Sequence, residues 1–292
     1  MKAIILTNAY KDIPQTRSQS ARLKQELEKR GVPADIMRND FFTAYIDGGR
    51  AVSKLAEYDF CIYLDKDKYI SYLLERAGLK LFNSARAVEL CDDKMTTALT
   101  LTNCGIPMPK TLPGLLCYDE SAPLNEQALR MAARELGYPV VVKSSFGSMG
   151  TGVFKASDFG QLKEAAEKLK MQPHLFQQYI KESKGRDIRV IVIGGKTAAA
   201  MERVSDGDFR SNIAAGGSGR VIALPKQAKD IAEKAARELG LDYCGADILF
   251  GRDGYLLCEV NSNAFFDGIE AVTGVSVAGL YAEHILKVMQ KR

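Results

Sequence analysis

The sequence predicts a mixed chain: an N-terminal α/β unit on a parallel sheet, followed by an α+β region rich in antiparallel hairpins. Three observations carry this reading. β-branched and apolar runs alternate with helical stretches over residues 2–82. From Asp187 onward, strand-like runs follow one another with glycine turns between them. Finally, Ala246-Asp247-Ile248-Leu249-Phe250 and Tyr255-Leu256-Leu257-Cys258-Glu259-Val260-Asn261 flank Gly251-Arg252-Asp253-Gly254, and Asp-Gly between apolar runs is a strong hairpin signal.

The elements follow in order. Lys2–Thr7, Ala34–Met37, Asp59–Leu64 and Leu79–Phe82 read as four strands. Helices at Ser18–Arg30 and Tyr69–Ala77 end at Gly31 and Gly78. The first strand leads into Asn8-Ala9-Tyr10-Lys11-Asp12, so the glycine fingerprint of a dinucleotide fold is missing. After Asn83-Ser84 the pattern changes. Asp92 or Asp93 caps a helix over Lys94–Asn103, and a further helix covers Asn125–Leu136. Tyr138–Lys143 is a buried strand, a glycine-rich stretch follows, and the chain re-enters a strand at Val153-Phe154. Asp158 caps a helix reaching Leu169, and Leu175–Ile180 is another strand. Hairpins from Asp187, a helix over Gln227–Leu239, the acidic hairpin and a closing helix over Ala278–Gln290 complete the chain.

Composition removes several function classes. With 40 basic and 36 acidic residues the net charge is only +4, so no nucleic-acid or membrane partner is expected. No apolar run approaches membrane-spanning length, and the start of the chain is too soon polar for a signal peptide. The six cysteines include no C-x-x-C pair, and two histidines leave little for a zinc site. Scattered thiols fit a reducing compartment, so the expected location is the cytoplasm.

The residues that carry chemistry fall into three groups. In the acidic hairpin, a three-residue loop at Arg252–Gly254 pairs Gly251 with Tyr255 and sets Asp247 opposite Glu259. Asn261 shares their face, because side chains two apart on a strand point the same way. Carboxylates facing each other in an apolar sheet repel unless a cation lies between them, and hard oxygen donors suit Mg²⁺. A hairpin with acidic residues on a solvated face is the plainer alternative. The second group is the loop Ser144–Gly152. Its Gly147, Gly150 and Gly152, with Ser145, Ser148 and Thr151, offer N–H and hydroxyl groups to phosphate oxygens. It is not a Walker loop, because a strand follows it. Lys143 leaves an apolar strand just before this loop, and Lys94 opens a helix where a cation opposes the dipole. The third group is Arg189, Arg203, Arg210 and Arg220, on or beside the hairpins. No covalent nucleophile stands out, which suits phosphoryl transfer by positioning and charge neutralisation.

Over almost its whole length the chain resembles the RimK-type amino-acid ligases of the ATP-grasp superfamily. The matching segments run from Leu81-Phe82-Asn83-Ser84 and Cys91-Asp92-Asp93-Lys94 through Gly105-Ile106-Pro107-Met108-Pro109-Lys110-Thr111 and Pro139–Lys143 to the glycine loop. They continue with Gly185-Arg186-Asp187-Ile188-Arg189, Phe209-Arg210-Ser211-Asn212, Gly216-Gly217, Asp247 and Glu259-Val260-Asn261. The resemblance implies an ATP-grasp fold behind an N-terminal parallel α/β domain: residues 1–84, then a central lobe at 85–180 and a C-terminal lobe at 181–292. ATP lies between the two lobes, its adenine against Gln177, Gln178, Tyr179 and Ile180. Lys94 and Lys143 touch phosphates, Asp187 lies near the ribose, and Arg210, Ser211 and Asn212 line the nucleotide and substrate side. Asp247, Glu259 and Asn261 hold Mg²⁺, for which Mn²⁺ is a possible substitute. The implied reaction phosphorylates a carboxylate and lets an amine displace the phosphate. Arg203 and Arg210 are the residues chosen to stabilise the charge that develops.

The implied partners are ATP, an amino acid such as glutamate, and an amine- or carboxylate-bearing acceptor, in a chain that family habit makes a dimer or tetramer. Two positions depart from the family pattern. A Ser-Pro-Gly-like turn is replaced by Ser262-Asn263-Ala264-Phe265-Phe266, and Gln178 stands where a glutamate is common. Phe265 and Phe266 are expected to reshape the acceptor end. A catalytically silent ATP-binding scaffold or sensor, and a D-alanine-ligase-like dipeptide synthetase, are the alternatives.

Overall fold

A computed structural model describes residues 1–10, 12–147, 150–205, 207–211 and 216–291. The N-terminal layer comprises β1 (Ala3–Thr7), α1 (Pro14–Glu28), β2 (Ala34–Arg38), β3 (Ala44–Asp47), β4 (Arg50–Ser53), β5 (Phe60–Leu64), α2 (Lys68–Arg76) and β6 (Lys80–Phe82). Its sheet has the order β2-β1-β5-β6 and is parallel throughout. Every residue of β1 and β5 is buried, as the unbroken apolar runs require when both faces are covered. The hairpin β3–β4 is absent from the sequence reading. Gly48 and Gly49, at φ of 51° and 76°, close it in the left-handed conformation that two-residue hairpin turns need.

Two helices follow, α3 (Ala85–Asp92) and α4 (Lys94–Thr100). Ser84 accepts a hydrogen bond from the Ala87 N–H, and Asp93 accepts from those of Met95 and Thr96. The sequence reading has no α3 and carries α4 three residues too far. The second sheet is built from β7 (Thr111–Pro113), β8 (Val140–Ser144), β9 (Val153–Ala156) and β10 (His174–Gln178), with α5 (Glu126–Leu136) and α6 (Phe159–Leu169) against it. Its order is β7-β10-β8-β9, all antiparallel.

The third sheet contains β11 (Arg186–Ile193), β12 (Lys196–Val204), β13 (Ser218–Val221), β14 (Tyr243–Gly251) and β15 (Gly254–Asn261), in the order β13-β12-β11-β14-β15. One apolar core joins it to α7 (Lys226–Glu238) and takes in Ala87, Cys91 and Leu101 of the α3–α4 region. A separate core joins it to the N-terminal layer, through α8 (Asp267–Thr273) and α9 (Val277–Met289). Asn83 locks that junction. Its amide nitrogen donates to the carbonyls of Tyr243 (2.8 Å) and Ser262 (2.9 Å), and its oxygen accepts from the N–H groups of Asp242 and Tyr243. A buried amide with all these partners fixes two units in one register.

The acidic hairpin corrects the expected route to its pairing. Gly251 faces Gly254, not Tyr255, so the loop has only two residues, Arg252 and Asp253. Phe250, Leu249 and Ile248 then face Tyr255, Leu256 and Leu257. The register slips at Cys258, an extra residue that restores Asp247 opposite Glu259. A tight turn plus a bulge replaces the wider loop, and the bulge turns Cys258 and Glu259 towards the same cleft.

Candidate active site

A cleft of about 120 Å³ lies between the second and third sheets. Of the residues expected from the sequence, it is lined by Lys94, Lys143, Gly147, Gly150, Gln177, Gln178, Tyr179, Ile180, Asp187, Arg210, Ser211, Asp247 and Glu259. They come from α4, β8, β10, β11, β14, β15 and three loops, so only the fold brings them together. Ser148 and Asn212 lie outside the described residues. Ser145, Gly152, Asn261 and Arg203 stand apart from this lining.

The phosphate-loop side is tied to α4 twice. The Lys94 N–H donates to the Ser145 carbonyl and its ammonium to the Gly147 carbonyl, each at 2.9 Å. Ser145 is buried behind the loop, with its hydroxyl unpartnered among the described residues. Gly152, at φ of 70°, returns the chain beside Ser144, and a Cβ there would sit 3.0 Å from that of Ser144. Burial lowers the pKa of Lys94, while Glu259 acts in the opposite direction. The Lys143 ammonium donates to Gln177 Oε1 at 2.7 Å and lies 3.7 Å from Cys258 Sγ. Gln177 donates in turn to Thr111 Oγ1 at 2.9 Å, which orients the amide oxygen that holds the lysine. Neither Lys94 nor Lys143 has a carboxylate partner among the described residues, so both charges remain available to an anion.

The acidic side is asymmetric. Arg189 donates to both oxygens of Asp247, and the Arg203 Nη2 stands 2.8 Å from Asp247 Oδ2. Arg203 also holds Asp187, with Nε donating to Oδ1 at 2.7 Å. Burial pushes the Asp247 carboxyl up, but the two guanidiniums outweigh it and hold the group below the usual carboxylate range. Asp187 is therefore the partner of Arg203 as well as a cleft residue, and Ser211 bonds to it. Glu259 carries no ion pair among the described residues and accepts from Asn261 Nδ2 at 2.9 Å. That bond uses the amide nitrogen of Asn261 and leaves its oxygen as a ligand.

Two carboxylates on paired strands and a neighbouring amide oxygen fit a hard divalent cation that completes its shell with phosphate and water. Among the described residues no group of three His, Cys, Asp or Glu forms an all-protein cage. The third donor here is an asparagine, as in the set the hairpin suggests.

Arg210 latches the two loops over the cleft. Its Nη1 donates to the Gly150 carbonyl at 2.9 Å, and its Nη2 pairs with Asp208 at 2.7 Å. Arg203 is buried and lines a second cavity, about 510 Å³, together with Arg189, Glu259 and Asn261. Thr151, named with the phosphate loop, lines the cleft, as do Ser183, Arg186, Phe209 and Cys258, to which the sequence reading gave no role. Phe209 meets Tyr179 edge-on at 6.2 Å, and Arg186 stacks 3.7 Å from the Phe250 ring centroid. An aromatic next to Arg210 in a polar loop was the available signal for Phe209. Cys258 had none, because only the bulge turns it inward. Phe266 corrects an expectation: it is fully buried in the core, and Phe265 alone of the pair reaches the second cavity.

Residues 91–285 match the model of the RimK-like ATP-grasp domain. The chain is 36% identical over 231 residues to beta-citrylglutamate synthase B of Danio rerio; the match spans 78% of this chain but only 56% of that longer protein. It is 35% identical to a probable alpha-L-glutamate ligase of Psychromonas ingrahamii, over 99% of this chain and 96% of the relative. Among solved structures, it superposes on the D-alanine–D-alanine ligase of Bacillus anthracis complexed with ATP with a TM-score of 0.75, at 16% identity, covering 100% and 98% of the two chains. Among the described residues no helix is long and apolar enough to cross a membrane. By the family match and by these identities, the chain belongs to the RimK-like ATP-grasp family.

Proposed function

We propose that the protein is an ATP- and Mg²⁺-dependent carboxylate–amine ligase that works through an acyl phosphate, with Mn²⁺ able to replace Mg²⁺. The observation that carries this reading is the cleft itself. Two lysines without carboxylate partners stand across from Glu259 and Asp247, between the lobes at 85–180 and 181–292. Such a cleft is cationic where a triphosphate would enter and anionic where a divalent cation would be held. The adenine lies beside Gln177–Ile180, against Tyr179 and Phe209. Lys94 and Lys143 neutralise phosphate oxygens, and Arg210 holds the glycine loop closed over them. Asp247, Glu259 and Asn261 would hold Mg²⁺, which would supply Lewis-acid stabilisation of phosphate charge. Arg189 and Arg203 fix the Asp247 carboxylate in its ionised form and present guanidinium charge to the second cavity.

The γ-phosphoryl group passes to a carboxylate oxygen, giving ADP and an acyl phosphate. An amine nitrogen then attacks the carbonyl carbon. The amide forms, the C–O bond to phosphate breaks, and the amine proton leaves with inorganic phosphate. The relatives' names support an amino-acid substrate such as glutamate, joined to a peptide, protein or small amino compound.

Nucleotide products measured with ATP, Mg²⁺ and a panel of amino acids test the reading. ADP release that depends on an amino acid supports it. Nucleotide binding with no turnover points to a scaffold or sensor, and release of AMP contradicts the acyl-phosphate route. D-alanine as sole stimulant points to the dipeptide synthetase.

A further inference from the structure

Resting on the ligase reading, we propose that the second cavity takes a substrate with a primary amine and an apolar body, its ammonium on Asp65 and its side chain against Phe265. The cavity meets the nucleotide cleft at Glu259, so a molecule in it lies beside the reacting centre.

The charge balance is the first argument. Each cation of the cavity is already matched: Lys66 with Asp92 at 2.8 Å, Arg189 with Asp247, and Arg203 with Asp187 and Asp247. Asp65 and Asp267 also line it, and among the described residues neither is in an ion pair. Asp65 is only 6% exposed. Its Oδ1 accepts from Asn8 Nδ2 at 2.9 Å and from the Lys66 N–H at 2.7 Å, while its Oδ2 accepts no hydrogen bond among the described residues. Asp65 Oδ2 is not among the fully buried unpartnered atoms, so it stays open to the cavity, where an ammonium could pair with it. A second carboxylate on the ligand, as in a glutamate side chain, finds no unpaired cation here.

The apolar wall is the second argument. Ile13, Leu64, Met201 and Ile269 surround Phe265 in the cavity. Phe265 is partly buried and its backbone is anchored on both sides. The carbonyl of Ala264 before it accepts from Gln19 Nε2 (3.1 Å) and the Tyr243 hydroxyl (2.7 Å), and Phe266 after it is fully buried. A side chain on an anchored backbone can shape a pocket at reduced entropic cost. This wall sits where relatives of the family were expected to carry a different turn.

The test uses the full chain. Binding to the AMPPNP–Mg²⁺ complex is measured by calorimetry, and ADP release by a coupled assay. The probes are leucine, phenylalanine, alanine, glutamate and 4-methylpentanoate, the last being leucine's skeleton without its amine. Leucine or phenylalanine should bind about tenfold or more tightly than glutamate and 4-methylpentanoate. Asp65→Asn should raise KM for the preferred amino acid by about tenfold or more, with kcat changed less than about threefold. Phe265→Ala, at a partly exposed site, should lower leucine affinity by about tenfold and leave alanine unaffected. Glutamate binding most tightly, or unchanged affinities in both variants, would overturn the assignment. Asp65-dependent leucine binding without any ADP release would keep the cavity assignment and remove the ligase reading. ADP release with glutamate alone would do the reverse.

Discussion

The nucleotide cleft and the second cavity meet at Glu259, yet their electrostatics are opposite. In the cleft the lysines are unmatched: Lys94 donates to a carbonyl and Lys143 to an amide oxygen. In the cavity the cations are matched, and among the described residues Asp65 and Asp267 form no ion pair. The first arrangement waits for an anion, the second for a cation. The buried Arg189–Asp247–Arg203–Asp187 network forms the wall between them. Specificity in this molecule therefore depends on which charges the fold leaves unpaired, more than on how many it contains.

The sharpest way to break this contrast uses the two facing carboxylates. Glu259→Gln should reduce ATP turnover by on the order of 10²- to 10³-fold while leaving the unfolding midpoint nearly unchanged, because Glu259 holds no ion pair among the described residues. Asp247→Ala should cost about 3–5 kcal/mol of stability in denaturant titration, because it removes the carboxylate paired with Arg189 and one of the two that hold buried Arg203. Both variants should lose turnover, but if Glu259→Gln lowers stability as much as Asp247→Ala, the division of labour between the two strands is wrong.

Next in size is Lys143→Gln. Loss of one charge-assisted contact of about 1.5–3 kcal/mol should weaken ATP binding by on the order of 10- to 100-fold in a calorimetric titration. Retention of full affinity would mean that the lysine serves only to hold Gln177.

The protonation state of Lys94 gives a subtler prediction. Burial depresses its pKa, so its positive form is lost as pH rises through a value below the ordinary lysine range. The alkaline limb of kcat/KM for ATP should fall in that window, and Lys94→Arg should move the limb upward. The smallest effect is expected at the margin of the third sheet. Arg220 pairs with Glu202 but its side chain is largely exposed, so Arg220→Ala should leave the unfolding midpoint nearly unchanged and turnover intact.

The same contrast explains what could be read from the chain before folding. The cleft was legible because its residues belong to motifs with internal logic: a lysine ending an apolar strand, glycines beside hydroxyls, acids on one face of a hairpin. Even there, the pairing of Asp247 with Glu259 was foreseen by a route the chain does not take. A two-residue turn and a bulge at Cys258 reach the same register as a three-residue loop, and spacing alone cannot separate them. The cavity was far less legible. Asp65, Ile13, Met201 and Phe265 come from four separate segments and share no pattern. Their meeting depends on Asn83 and α9 joining the N-terminal layer to the third sheet, which is long-range packing. The hairpin β3–β4 was missed for a simpler reason. Its Asp47-Gly48-Gly49 turn lay in the text, but its strands are short and largely exposed, so no apolar run drew attention to them.

One isotope measurement addresses the central claim most directly. With a carboxylate substrate labelled in both oxygens with ¹⁸O, the protein should release ADP and an inorganic phosphate that carries one labelled oxygen, because the carboxylate oxygen leaves with the phosphoryl group. Phosphate free of label alongside amide product would contradict the acyl-phosphate chemistry assigned to the cleft.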